Sequence, residues 1–377
     1  MAADARVLVL TPYPYGTVAG PRSSFELWER VLTDAGITFD YAVFETDRLS
    51  EVIYASGVAA TGEKAVEIVR SYARMARRAV AAHEYDAVLV NREATLIGPA
   101  LVERIAGRRG TPLIYLLDDP LYIPYRSPSN GALAALKCFG KVGPLCRMSA
   151  AVIANSPSNA GFARAHNANV WEIPSVVDAD LYIGARADAA AAAGPEAGNG
   201  TSTGKPEVCI GWSGSPTTAI NLQVVREPLG TLAAGGGVTI RCIGARDVAL
   251  PEIPHVAVPW SAEHEVAELC RFDIGLVPLP LTEWTPHKFY LKLVQYMALG
   301  IPPVATPLGA NPVVIDDGVT GFLAGSPAAW TATLRRLVAD PDLRASVGAA
   351  AARVAHERYT LQANAERIVA AFRSVLA

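Results

Sequence analysis

WTPHKFYLKLVQYMALGIPPVATPLGANPVVIDDGVTGFLAG, residues 284–325, decides how the rest of the chain is read. Its first part has helical periodicity, with Lys288, Lys292 and Gln295 spaced by four and three residues, so they share a face while Leu291, Val294 and Met297 pack elsewhere. A strand-like run, PPVAT (302–306), comes after a glycine. Helix, glycine and buried strand in that order are the grammar of a parallel α/β sheet.

The pattern repeats outward from there. Upstream lie VCIGWSG (208–214), TIRCIG (239–244), HVAVPW (255–260) and DIGLVPL (273–279), separated by helix-length or loop segments, which makes a second-half parallel sheet. The first half alternates in the same way: RVLVL (6–10), FDYAVF (39–44), DAVLV (86–90), PLIYLL (112–117) and AVIAN (151–155) are expected strands. Helical patterns at 25–36, 61–83, 97–110 and near 130–149 lie between them. VWEIPSVVDADLY (170–182) then leaves the first sheet through a short strand and an extended proline-containing segment. The stretch GARADAAAAAGPEAGNGTSTGKPE (184–207) lacks apolar periodicity and places the interdomain connection. The expected organisation is therefore residues 1–178 as one domain, 179–207 as linker and a second domain that begins at 208.

Composition narrows the function classes. The chain has 377 residues, 51% hydrophobic and 18% charged, enough for two cores and too apolar for disorder. A formal net charge of −3 offers no general attraction for a polyanion, so nucleic acid is not an expected partner and phosphate affinity must be local. Cys138, Cys146, Cys209, Cys242 and Cys270 are scattered, without zinc-ligand spacing, and read as free thiols; no metal is expected. The N-terminus MAADARVLVL has no signal-peptide pattern, and no apolar run reaches membrane-spanning length, so a cytoplasmic protein is expected. SYARMARRAV (71–80) allows at most peripheral contact with an anionic membrane and fits a solvated helix face better.

Ligands bind outside the carboxyl ends of parallel strands, which directs attention to the residues just past each run. After the first strand, TPYPYGTVAGPRSSFELW (11–28) offers Gly16 and Gly20 for close backbone approach and Arg22 for an anion, with Ser23 or Ser24 as helix N-cap; an ordinary long loop fits equally. After PLIYLL, Asp118 and Asp119 stand where a carboxylate orients an acceptor hydroxyl or takes its proton, or simply closes a turn. In GWSGSPTTAINL (211–222), Ser213, Gly214, Ser215 and Thr217 form either a diphosphate-binding helix start or a plain capped helix. In the 284–325 stretch, a lysine ammonium beside a leaving diphosphate would stabilise the charge that develops as a glycosidic bond breaks, with Gln295 on a ribose. The spacing alone fits a solvent-facing helix too.

The 288–324 segment strongly resembles the donor-binding region of GT-B glycosyltransferases of the retaining family numbered 4. YDAVLVNREA (85–94) and PLIYLLDDPLY are similar to that family's acceptor-domain strands, AVIANSPSNAGFARAHNANVWEIPSVVD (151–178) to its interdomain lead-in and IGWSGSPTTAINL to the start of its donor domain. The resemblance implies two facing Rossmann-like domains and sugar transfer from a nucleotide-sugar (UDP, GDP or dTDP type) to an acceptor hydroxyl with retention. It also implies that the final helix (356–377) crosses back to the N-terminal domain, burying Tyr359, Ile368, Phe372 and Leu376 there, so that 360–377 join 1–178 and the second domain is 208–359; an ordinary terminal helix of the second domain is the alternative. By resemblance, Lys288 or Lys292 neutralises the diphosphate, Gln295 faces the ribose, and Gly309, Ala310 and Asn311 present backbone groups to the sugar or phosphate. Many members carry two glutamates eight positions apart where this chain has His287 and Gln295. They also carry an arginine after the first donor-domain strand, where GSPTTAINL supplies none, which shifts phosphate neutralisation onto the lysines. The acceptor is a glycan, lipid-linked sugar or secondary metabolite, and the alanine-rich composition hints at a GC-rich bacterium. The rivals are a nucleotide-sugar epimerase of the same fold and a catalytically silent nucleotide-sugar-binding partner.

Overall fold

The computed structural model describes residues 4–53, 58–124, 137–193, 207–245, 248 and 250–376. The chain divides into two compact units, Met1–Ser175 with Asn364–Ala377, and Val176–Ala363.

The first unit is built on a six-stranded parallel sheet in the order β2-β1-β3-β4-β5-β6. Its strands are β1 (Ala5–Thr11), β2 (Ile37–Val43), β3 (Ala87–Asn91), β4 (Leu113–Leu117), β5 (Ala151–Ala154) and β6 (Val170–Glu172). Both faces are covered, which is why β3 and β4 read as unbroken apolar runs with every residue buried. Leu8, Leu10, Val88, Val90, Leu113, Tyr115 and Leu117 share one core face. On the opposite face, Thr11, Asn91 and Asp118 come next in the alternation and end at the carboxyl edge. The closing helix Leu361–Leu376 carries Phe372 fully buried, its ring 5.7 Å from Phe39. Ile368 is buried, but Leu376 is only half-buried, and Tyr359 packs against Phe289 in the second unit instead of joining the first.

The second unit repeats the plan with β7 (Val208–Ser213), β8 (Val238–Ile243), β9 (Val256–Val258), β10 (Ile274–Val277), β11 (Pro303–Ala305) and β12 (Phe322–Leu323) in the order β12-β11-β10-β7-β8-β9. From β7, chain order runs outward in both directions, so the sheet reverses between β7 and β10; in the first sheet the reversal falls between β1 and β3. Those two reversals are where an open parallel sheet leaves a crevice at its carboxyl edge.

Helix starts explain themselves where Ser-Pro or Asp-Pro precedes the helix. Ser156, Ser326 and Asp340 each accept the backbone N–H three residues on, with proline at the first helical position. Ser23 and Ser24 do not act this way: both hydroxyls donate back to the Gly20 carbonyl, at 3.0 and 2.9 Å, because the short helix Ala19–Arg22 precedes them. The expected linker is also different. Residues 179–193 form a helix of the second unit, and Val177 pairs with Thr360, so 176–178 belong to that unit as well. Alanine's high helix propensity overrides the absence of an apolar stripe. Residues 194–206, and residues 130–136 of the helix expected near 130–149, lie outside the described residues. From 139 onward that expected helix is a short 3₁₀ turn, Phe139–Lys141, and the helix Val142–Met148.

Candidate functional site

In the second unit the crevice at the β7/β10 reversal is organised by Tyr296. Its hydroxyl accepts the Ser213 N–H at 2.9 Å, and its ring lies where a side chain on Gly275 of β10 would collide. Helix Leu291–Ala298 is thereby bolted to the two central strands. This brings Lys292 over the indole of Trp212, with the ammonium 4.7 Å from the ring centroid. Burial first, and the neighbouring Lys288 charge second, push Lys292 down to about 7. Among the described residues no carboxylate pairs with it, and the one charged side chain perturbing it is a like charge.

Lys288 is near Lys292 but not on its helix. A 3₁₀ turn, Thr285–His287, precedes it, Lys288 itself is extended, and the helix starts at Leu291. The shared helix face expected from the spacing is therefore absent. What holds Lys288 is the loop after β11: the Ala310 N–H donates to the Lys288 carbonyl at 3.2 Å. Gly309, at φ +62°, packs so close that a Cβ there would strike the same carbonyl. The amides of Ala310 and Asn311 are thus spent on Lys288 and Leu308 and are not presented to a ligand. Asn311 is fully buried, its side-chain amide donating to Thr306. Gln295 is also engaged inward. Its amide nitrogen donates to Tyr182 at 2.9 Å and to Glu265 at 3.3 Å. His287 is half-buried in the 3₁₀ turn, its N–H on Trp284.

The Ser213–Thr217 segment offers fewer amides than a helix-start anion site requires. Ser213 donates to Tyr296, Gly214 to the Ile243 carbonyl, and Pro216 has no N–H. The adjoining Pro216–Val225 is a 3₁₀ helix, and Ser215 and Thr217 bond to one another through their hydroxyls at 2.9 Å. Gly214 has a steric reason to be glycine, because a Cβ would enter the Trp212 ring.

The first unit gathers Asp118 and Asp119 at the β1/β3 reversal, but around a residue that the sequence pattern does not single out. Arg92 directly follows β3 in the left-handed region, φ +60°, and its guanidinium reaches Asp119 at 2.6 Å and Asp118 at 3.6 Å. Burial alone would lower Arg92; Asp119 and Asp118 outweigh it and hold the group well above its ordinary range. Beside it, Lys141 pairs with Glu93 at 2.6 Å, and Tyr13 from the loop after β1 is raised by burial near the same charges. The rule that selects Asp118, to look just past a strand, finds Arg92 as well when applied to β3. Gly20 packs on Asp118, where a Cβ would lie 3.1 Å from its carboxylate oxygen. Gly16, at φ +75°, donates its N–H to Glu26 at 3.0 Å, and Arg22 turns its charge toward that same glutamate. Among the described residues no three His, Cys, Asp or Glu side chains converge as a metal site, and no helix is long and apolar enough to cross a membrane.

Residues 234–340 match the model of the family described as glycosyl transferases group 1. D-inositol 3-phosphate glycosyltransferase of Segniliparus rotundus is 31% identical over 162 residues, 42% of this chain and 33% of the relative. That of Streptomyces avermitilis is 44% identical over 106 residues, 25% of this chain and 23% of the relative. The matched stretches thus span a third or less of these relatives. Among solved structures, HepE from Anabaena in complex with UDP-glucose superposes with TM-score 0.67 at 17% identity, over 98% of this chain and 100% of that one. Sucrose-phosphate synthase from Thermosynechococcus elongatus gives 0.66 at 13%, over 98% and 99%. At such identities the likeness is one of fold, and it extends over nearly the whole chain. The protein has the GT-B fold, and its residues 234–340 are similar to the group 1 glycosyl transferases.

Proposed function

We propose that the protein is a glycosyltransferase that takes a sugar from a nucleotide-sugar donor bound at the carboxyl edge of the second sheet and passes it, with retention and without a metal, to an acceptor hydroxyl. The observation that carries this reading is Lys292 over Trp212 beside Lys288, a half-buried cation with a like-charged neighbour and no acidic partner among the described residues. Such a group calls for an anion from outside, and a nucleoside diphosphate supplies one. The UDP-glucose complex of HepE agrees with that class of ligand, and the names of the relatives agree with glycosyl transfer.

In this reading Lys288 and Lys292 stabilise the diphosphate as it departs, and the leaving phosphate assists removal of the acceptor proton, so the protein contributes positioning and electrostatics. Asp118 and Asp119, already engaged by Arg92, serve to orient an acceptor hydroxyl rather than to carry its proton away. Gln295, turned to Tyr182 and Glu265, shapes the donor helix and leaves the ribose to backbone groups. The reaction belongs to the cytoplasm of a bacterium.

The test is thermal stabilisation of the protein by UDP, GDP, dTDP and their sugars. A rise in Tm with one nucleotide class that vanishes in Lys288→Ala supports the site. No shift at millimolar concentrations of any of them refutes it. Product analysis with and without acceptors then separates transfer from epimerisation, since an epimer forms without an acceptor.

A further inference from the structure

The loop Pro12–Val18 after β1 stands at the first sheet's reversal and carries Tyr13 to the Arg92–Asp118–Asp119 cluster. At its start the Pro12 carbonyl accepts the Glu45 N–H at 3.0 Å. The exposed Tyr15 ring meets Tyr41 edge-on at 5.5 Å, and Thr17 bonds back to Pro14 within the loop. Two polar ties run from the loop to the helix beneath it: the Gly16 N–H donates to Glu26 Oε2 at 3.0 Å, and the Tyr15 hydroxyl bonds to the Glu29 carboxylate. Glu26 is buried to 7% exposure in the first turn of the helix Phe25–Asp34. A buried carboxylate is costly to keep merely for packing, and here it closes a loop whose turn favours glycine, since Gly16 sits at φ +75°.

We propose that Glu26 is a positioning residue of the transfer reaction, fixing the Pro12–Val18 loop, and with it Tyr13, through the Gly16 amide. This rests on the transferase reading for its catalytic consequence, but the tie itself does not. The groups facing Glu26 are Arg22 from the preceding short helix, Glu29 on its own helix, and Tyr15 and Tyr41 from the loop and β2. Burial outweighs the Gly16 hydrogen bond and the Arg22 charge, and Glu29 adds repulsion, so the carboxyl is pushed up to about 7. The ionised form makes a charge-assisted hydrogen bond and the protonated form a weaker, neutral one, so the hold loosens as pH falls through neutrality.

Hydrogen exchange at the Gly16 amide, corrected for intrinsic rates, reads the tie directly from pH 5.5 to 8.5. The wild-type protection factor is expected to fall about fivefold on the acid side. Glu26→Gln, whose amide oxygen still accepts from Gly16, should stay protected and lose the pH dependence; Glu26→Leu should be unprotected throughout. A flat wild-type profile, or the same slope in Glu26→Gln, overturns the proposal, and the Gln variant decides even if Leu does not fold. In steady-state kinetics the acceptor KM should rise relative to kcat below pH 7 in the wild type and not in Glu26→Gln. A pH-dependent amide with a KM that ignores it removes the positioning role. Absence of any transfer activity with the exchange result intact would instead count against the transferase reading.

Discussion

The carboxyl edges of the two sheets have similar backbones and opposite electrostatics. In the first unit Arg92 has found Asp118 and Asp119, and Lys141 has found Glu93, so each of these cations has a carboxylate beside it within the protein. In the second, Lys292 lies against an indole with Lys288 as its charged neighbour. A matched buried pair fixes shape and contributes little net stability, whereas an unmatched buried cation costs stability until a ligand compensates it. At one edge the named cations already have carboxylates beside them; at the other, in the proposed reading, a ligand supplies the missing negative charge.

Breaking the match should have the largest effect. Arg92→Ala leaves two buried carboxylates without their counter-ion and is expected to cost about 3–5 kcal/mol in urea unfolding of the first unit. Adding Asp118→Asn and Asp119→Asn to it should return part of that loss. A single-variant loss below about 1 kcal/mol would mean the cluster is not the closed ion pair described.

At the open edge the expected loss is in chemistry. Lys288→Ala should lower turnover by a factor on the order of a hundred while leaving the fold intact, if its ammonium acts as an oxyanion donor does. Wild-type turnover would remove Lys288 from the mechanism. The contrast sharpens with Lys292→Met, which deletes an uncompensated cation and should weaken nucleotide binding yet raise Tm. Since Lys292 is depressed, the unfolded chain holds more protons between pH 7 and its ordinary 10.5, so wild-type stability from this group rises with pH across that window. The Tm advantage of the variant is therefore greatest below pH 7 and closes toward pH 10.

Gln295→Glu tests a smaller difference. If Gln295 held a ligand, the glutamate that the family resemblance implies at this place should be tolerated. As a donor to Tyr182 and Glu265 it should not be, because a carboxylate cannot donate and would face Glu265; a loss of about 1–3 kcal/mol is expected. Unchanged stability would return Gln295 to the ribose.

The alternation of apolar runs is enough to read two parallel sheets, because strands buried on both faces leave that mark in any sequence. It does not reveal that Lys288 leaves the helix. The cause is a loop about twenty residues on, where Gly309 and Ala310 close on the Lys288 carbonyl, and residue spacing carries no information about that contact. Arg92 lies just past β3, where the strand-end rule points, but its partners Asp118 and Asp119 are set by the fold, as Gly16 is for Glu26. Trp212 reads as core because it is core, fully buried, with its ring face lent to a cation.

The smallest effect bears most directly on the open edge. With Lys292 at about 7 in the free protein, roughly nine in ten molecules carry it neutral at pH 8, and about one in ten at pH 6. A diphosphate beside the ammonium favours the charged form and restores the proton, so UDP binding should take up close to one proton at pH 8 and little at pH 6. Calorimetry in buffers of different ionisation enthalpy measures that number at each pH. Lys292→Arg, charged at every pH used, should bind UDP with no pH-dependent uptake from this position. Uptake that persists unchanged in the arginine variant would place the titrating group elsewhere. None in the wild type at pH 8 would mean that Lys292 already has a counter-charge, and the two edges would then differ less than their side chains indicate.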